Sequence, residues 1–501
     1  MLDGCQNIVS IGLALLTLYL FVRWANIFVK KKRYPPGPWG FPIVGHLPLL
    51  GGELEKTYLQ WWKQYGEVVS FRLGSWKAVI VNGYDAVKDA AERSDDVFSG
   101  RPPLLFNKAV TETFGGLKLI SFETFSPKFL HLKKIASRAL KNYMLNCDYP
   151  HEDLFRDEAI KLSNKLFMQG NKEPMQLASH VELAVESMVY QMFYGKGKEE
   201  EIEANVQEVV DAMSYINKFL NADNSVNFMP WLLYLKQGKI EEFKQAILAT
   251  DKVTKLKAEE RIATFEQGQV RDMVDALLAF SNEMPEEENA ESFPRAYLIH
   301  QRVAFQTAIF DPVCRTILFI ILYLTKYPEV QERVNTEVSD VIGNDKAVGY
   351  KDRDNLPYLN AVILEVMRIT SLVPTALPHS ALHDTKFRGY DIDKDTMVFF
   401  NLHSVSHDKL FWGDPESFRP ERLLNEQGHV DKEKRFRILY FGAGRRRCMG
   451  EMIAKILVFI TTATLMQRCS FKKAEGCDLD TEPIRGAVYG PKPFKVIVQS
   501  K

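Results

Sequence analysis

Cysteine is scarce in this 501-residue chain, and what there is stands unpaired: Cys5, Cys147, Cys314, Cys448, Cys469 and Cys477 show no Cys-x-x-Cys spacing. That argues against a disulfide scaffold and fits a reducing compartment. There is no His-Glu-x-x-His helix, so nothing points to zinc. Net charge is missing as well, 64 Lys and Arg against 64 Asp and Glu. The balance gives no reason to expect nucleic-acid binding, so an electrostatic partner must read a local patch. Internal repeats and low-complexity linkers are also lacking. What remains is an ordinary folding composition, 46% hydrophobic and 12% aromatic, enough for a large core.

One long apolar run stands near the N-terminus. Positions 8–29 are apolar except for Ser10, Thr17, Arg23 and Asn26, and Lys30, Lys31, Lys32 and Arg33 follow at once. About 20 apolar residues cross a bilayer, and basic residues stay on the cytosolic side. The charges follow the run rather than precede it, which disfavours a cleaved signal. The expectation is one uncleaved anchor over 1–33, with 34–501 as a cytosolic catalytic domain. Tyr34-Pro35-Pro36-Gly37-Pro38 cannot continue a helix and is expected to form a stiff extended hinge.

Further along, Val68–Leu73 and Lys77–Val81 flank Gly74-Ser75 and predict a β-hairpin. Residues 128–280 read as mostly helical, with a break at Pro230. Met284-Pro285 and three glutamates form an acidic connector. A long apolar helix is expected over 294–326 and another over 359–369.

The most informative stretch is Phe441-Gly442-Ala443-Gly444-Arg445-Arg446-Arg447-Cys448-Met449-Gly450-Glu451. Cationic neighbours and the start of a helix both favour a thiolate. Glycines let backbone approach a flat ligand closely. A thiolate presented this way suits the axial position of a haem iron. The spacing of Phe441, Gly444, Arg446, Cys448 and Gly450 resembles the haem-binding loop of the cytochrome P-450 family.

The resemblance implies a mainly α fold with small β-sheets after one membrane helix. It implies haem b bound through Cys448, with Arg446 and His379 at the propionates. Lys133 is a third candidate there, because Phe129 and Lys133 stand where the family has Trp-x-x-x-Arg. Glu365, Arg368 and Arg422 match the family's structural Glu-x-x-Arg and Pro-Glu-Arg elements. Segments 378–381, 391–396 and 403–408 look most like the animal microsomal branch that holds steroid 17- and 21-hydroxylases and aryl-hydrocarbon hydroxylases. Implied partners are an NADPH-dependent flavoprotein reductase, cytochrome b5, the endoplasmic reticulum membrane and a small lipophilic substrate such as a steroid or fatty acid. Substrate is expected between Ala308 and the strands near Thr375 and Val488. Lys128, Lys133, Lys134, Arg445 and Arg447 would make a basic reductase-docking patch.

One departure stands out. The oxygen-binding groove, usually Ala-Gly-x-Asp/Glu-Thr, falls on Ala308-Ile309-Phe310-Asp311-Pro312. Asp311 keeps the acid, but Pro312 has no hydroxyl and no N–H, so a kink is expected and Ile309 should crowd the groove. Three readings stay open: a monooxygenase with protons from substrate or from a water beside Asp311; an isomerase or dehydratase that rearranges a peroxide; or a haem- and lipid-binding protein with little turnover.

Overall fold

The computed structural model describes residues 33–501, apart from 95, 147–150, 171–172, 222–224, 230–232, 282–294 and 345, together with 12, 14 and 17–19. The expected membrane run, Cys147, Pro230, the acidic connector at 284–288 and Pro294 lie wholly or mostly outside the described residues. Within them the architecture agrees with a mainly helical fold carrying small sheets.

Helix α1 (Leu54–Tyr65) leads into β1 (Val68–Leu73) and β2 (Trp76–Val81), which pair antiparallel with Leu73 opposite Trp76. The hairpin forms because β-branched and aromatic residues flank a turn whose Gly74 takes φ +57°. Helices follow, α2 (Pro127–Asn146), α3 (His151–Gly170), α4 (Ala178–Tyr194), α5 (Glu199–Asn221), α6 (Leu233–Ala263) and α7 (Met273–Ser281), with the two-residue strand β3 (Met175–Gln176) between α3 and α4. Helix α8 (Arg295–Lys326) runs through the core, and α9 (Pro328–Val341) and α10 (Pro357–Thr370) pack beside it. The chain then adds β4 (His379–Ser380), β5 (Met397–Phe400), α11 (Leu402–Ser406), α12 (Glu451–Arg468), β6 (Cys469–Lys473) and β7 (Lys495–Ser500).

Two sheets result, ordered β1-β2-β5-β4 and β3-β7-β6, with two short hairpins besides. Strand β2 pairs parallel with β5, and β4 pairs antiparallel with β5, which sets His379 opposite Val398. An isolated bridge joins Gly100 to Ser380. A Cβ at Gly100 would come within 2.6 Å of the Ser380 carbonyl oxygen, so glycine is what lets segment 98–101 lie against β4.

Among the described residues, Gln301–Lys326 is long and apolar enough to cross a membrane, yet 72% of its most apolar window is buried. Ile317 to Leu324 belong to the main core, so α8 is a core helix. It stays helical on both sides of Pro312. The proline segment is extended and lies hydrogen-bonded along β1. Ser70 N–H donates to Pro36 O at 2.8 Å and Ser70 Oγ to Pro35 O at 2.7 Å. His46 accepts Arg72 N–H at Nδ1, which leaves Nε2–H to donate to Pro38 O at 2.9 Å. Residues 35–38 are thus strapped onto β1. Thr375 lies in a turn just before β4, and Val488 in the bend between the paired strands Pro483–Ile484 and Gly490–Pro491.

Candidate haem site

Cys448 sits in the loop before α12, and its N–H donates to Phe441 O at 2.9 Å, closing the loop on itself. Gly450 is the N-cap of α12. The residue is exposed on one side while the rest of it is enclosed by protein. Burial therefore raises the thiol above its ordinary range, against the lowering pull of the Gly450 N–H, Lys133 and Arg447.

That corrects the expectation of a thiolate favoured by three arginines. Arg445 lies over the Phe125 ring at 4.9 Å, and Arg447 is paired with Glu451 at 2.6 and 2.9 Å. Arg446 turns to Ser99 O at 2.6 Å and Glu123 O at 2.8 Å, and stacks over Phe129 at 3.8 Å. Phe129, in place of the family's Trp, thus forms a platform for a guanidinium. Lys133 Nζ donates to Arg445 O, so its charge braces the cysteine loop rather than forming a carboxylate fork.

Gly444 is pressed hardest. At φ +66° a Cβ would fall 1.6 Å from the Ala91 carbonyl oxygen, so no other residue fits there. A Cβ at Gly450 would meet the Cys448 sulfur at an ordinary 3.9 Å, so the protein itself does not demand glycine at that position. Phe441 is half-buried, with Lys455 Nζ 5.3 Å above its ring.

His379 is buried, and Nδ1 donates to Phe98 O at 2.7 Å. Burial and the Arg101 charge hold it well below the usual imidazole range, so the ring is neutral. Arg101 is a member that sequence reasoning missed. Its guanidinium donates to Ser121 O at 2.9 Å and Pro378 O at 2.9 Å, directly beside His379. Burial and the neighbouring Arg446 push it well down. Arg446 is pushed to about 10 by burial, with Glu123 opposing. The signal was present as Ser99-Gly100-Arg101-Pro102, but only the Gly100–Ser380 bridge reveals its destination.

Arg101 and Lys133 thus converge on Arg446 of the Cys448 loop and are each repelled by it, with the neutral His379 ring beside them. A ligand with two carboxylates and a soft metal centre fits that donor set: the carboxylates relieve the cationic repulsion, and the open sulfur faces the metal.

On α8, Ala308 is exposed and Pro312 half-buried one turn apart on a shared face. Ile309 packs against the main core, one position round the helix from that face. Asp311 is nearly buried and held by Arg315, Oδ1 to Nε at 2.8 Å. Glu365, Arg368 and Arg422 come together deep behind the loop. Arg368 makes a two-pronged bond to Glu365 at 2.8 Å, and Arg422 Nε reaches Glu365 Oε1 at 3.0 Å. Their remaining donors take Ser406, Trp412, Asp414 and Ser417 carbonyls, so the buried charges are fully paired.

The family model described as Cytochrome P450 matches residues 35–498. Curated relatives include Cytochrome P450 1A1 of Felis catus, 31% identical over 94% of this chain and 92% of that protein. The Homo sapiens protein of the same name is 30% identical over 91% and 90%, and the Rattus norvegicus one 31% over 93% and 90%.

Proposed function

The chain belongs to the cytochrome P450 family, and from that premise we propose that it is a microsomal haem-thiolate monooxygenase acting on a small lipophilic substrate of the steroid, fatty-acid or comparable hydrophobic class. Haem b is the cofactor, and electrons come from NADPH through a flavoprotein reductase. Bound there, the haem supplies dioxygen activation, and thiolate donation favours O–O cleavage.

The protein's part follows from the geometry. Cys448 would ligate the haem iron, with the Gly450 N–H and Lys133 offsetting some of the burial cost of the sulfur's charge. Arg101, Arg446 and His379 hold the propionates. With Nδ1–H committed to Phe98 O, His379 can donate from Nε2 only as an imidazolium, which an adjacent carboxylate favours. Ala308 and Pro312 border the oxygen side. Pro312 brings no hydroxyl, so protons come from the substrate or from water beside Asp311.

Residues 34–501 form the catalytic domain, and 1–33 anchor it by one pass in the endoplasmic reticulum membrane. Cytochrome b5 and the reductase dock at the basic face, where Lys134, Arg445 and Arg447 are exposed. The observation that carries this reading is the convergence of three cationic groups and a neutral imidazole beside the loop of an exposed cysteine.

Purified protein with reductase, NADPH and labelled dioxygen should yield a labelled, oxygenated lipophile. Conversion of a hydroperoxide without NADPH would favour the isomerase reading. A substrate-induced spectral shift with no product would favour a binding protein.

A further inference from the structure

The hydroxyls of Thr316 and Tyr440 meet at 2.7 Å, and nothing above uses them. Thr316 lies on α8 one turn past Pro312, and its Oγ1 donates to Pro312 O at 2.6 Å. Its single proton is thereby committed, so Tyr440 is the donor to Thr316. The result is a directed chain from the Tyr440 O–H through the Thr316 O–H to the Pro312 carbonyl. Thr316 is buried, and burial raises the Tyr440 phenol above its ordinary range, so the phenol stays protonated and can donate.

Tyr440 belongs to the loop that carries the haem ligand. Its ring packs edge-on against Phe441 at 5.1 Å, and Phe441 O receives the Cys448 N–H. A continuous path therefore joins the proline turn of α8 to Cys448. The second half of the loop is held from the other side: Arg446 on Ser99 O, Lys133 on Arg445 O, and Gly444 against Ala91.

We infer that the Thr316–Tyr440 hydroxyl pair is a positioning device for Cys448, fastening the first half of the ligand loop to the turn of α8 that carries Pro312. The inference rests on the haem-thiolate reading above. Proline removes the N–H that the Ala308 carbonyl would otherwise receive, which weakens α8 beside the loop. The Thr316 side chain adds a second bond across the turn from 312 to 316, and Tyr440 extends that bond into the loop. Neither residue touches substrate or reacting atoms.

The test uses full-length holoprotein and four variants: Tyr440→Phe, Thr316→Val, Thr316→Ser and the Tyr440→Phe/Thr316→Val double. The readout is the ferrous carbon monoxide spectrum across a mild warming series, scored as the fraction that loses the strongly red-shifted Soret band. Tyr440→Phe should raise that fraction about fivefold relative to wild type, the size of one neutral hydrogen bond, and Thr316→Val, which also loses the bond to Pro312 O, should raise it at least as much. Thr316→Ser should behave as wild type, and the double variant should be no worse than Thr316→Val alone. Loss of haem or of melting temperature with an unchanged band in the remaining holoprotein would reduce the pair to packing and overturn the inference. So would fully additive effects. Wild-type protein that lacks the red-shifted band altogether would instead sink the haem-thiolate reading itself.

Discussion

Cys448 shows how a residue and its neighbours in sequence can part company in space. Three adjacent arginines suggest a strongly activated thiolate, but each guanidinium has another partner, and burial raises the thiol instead. Cys448→Ser should abolish the red-shifted ferrous carbon monoxide band, and a retained band would remove the axial assignment. Arg101→Leu removes a cation from the propionate cluster. Haem should then transfer to an acceptor protein on the order of tenfold faster or more, as expected for a charge-assisted hydrogen bond of ~1.5–3 kcal/mol. An unchanged transfer rate would remove Arg101 from the cluster. At Pro312, replacement by Ala restores an N–H for the Ala308 carbonyl and should stabilise the protein by ~1 kcal/mol, read as a higher urea midpoint.

At the scale of elements, residues 35–38 matter more than their composition suggests. Prolines dictate an extended path, but Ser70 and His46 turn that path into a strap on β1. A Cβ at Gly37 would lie 1.8 Å from Ser70 O, so Gly37→Ala must lift the strap. The cost should be ~1–3 kcal/mol, seen as a lower denaturation midpoint and faster proteolysis before residue 40. Unchanged proteolysis would mean that the strap tolerates displacement. Helix α8 combines two demands: a core of Ile317 to Leu324 that fixes it, and a proline turn that loosens it beside the site.

For the molecule as a whole, the Glu365–Arg368–Arg422 cluster ties α10 to segment 406–422. Glu365→Ala would leave two guanidinium groups deep in the protein without their carboxylate, costing roughly 3–5 kcal/mol. The expected outcome is little soluble holoprotein at 37 °C and partial recovery at lower expression temperature. Acid stability is set nearby. His403 and His407 stack with ring centroids 3.8 Å apart. Burial, opposed by Glu55 and reinforced by Arg368, holds His403 down to about 4; burial and His403 hold His407 well below 6.5. Because the folded values lie below the unfolded one, the unfolded chain takes up protons first as pH falls. Stability should be full above pH 6.5 and decline from there toward 4, by at most ~1.4 kcal/mol per pH unit for each ring. Urea midpoints at pH 7.5 and 5 measure this, and His403→Asn should flatten the difference.

Local pattern alone carries the family, the hairpin at 68–81, the long core helix and the buried carboxylate–guanidinium pair. Each of these rests on short-range spacing: a loop motif, a turn between β-rich runs, or an i, i+3 pair. Only the tertiary structure decided that Arg101 joins His379, because a bridge between Gly100 and Ser380 spans residues far apart in the chain. It also decided where the loop arginines Arg445 and Arg446 go and that the proline segment is strapped down. Those outcomes depend on which surfaces pack together and on how long side chains share partners, and local pattern carries no record of either.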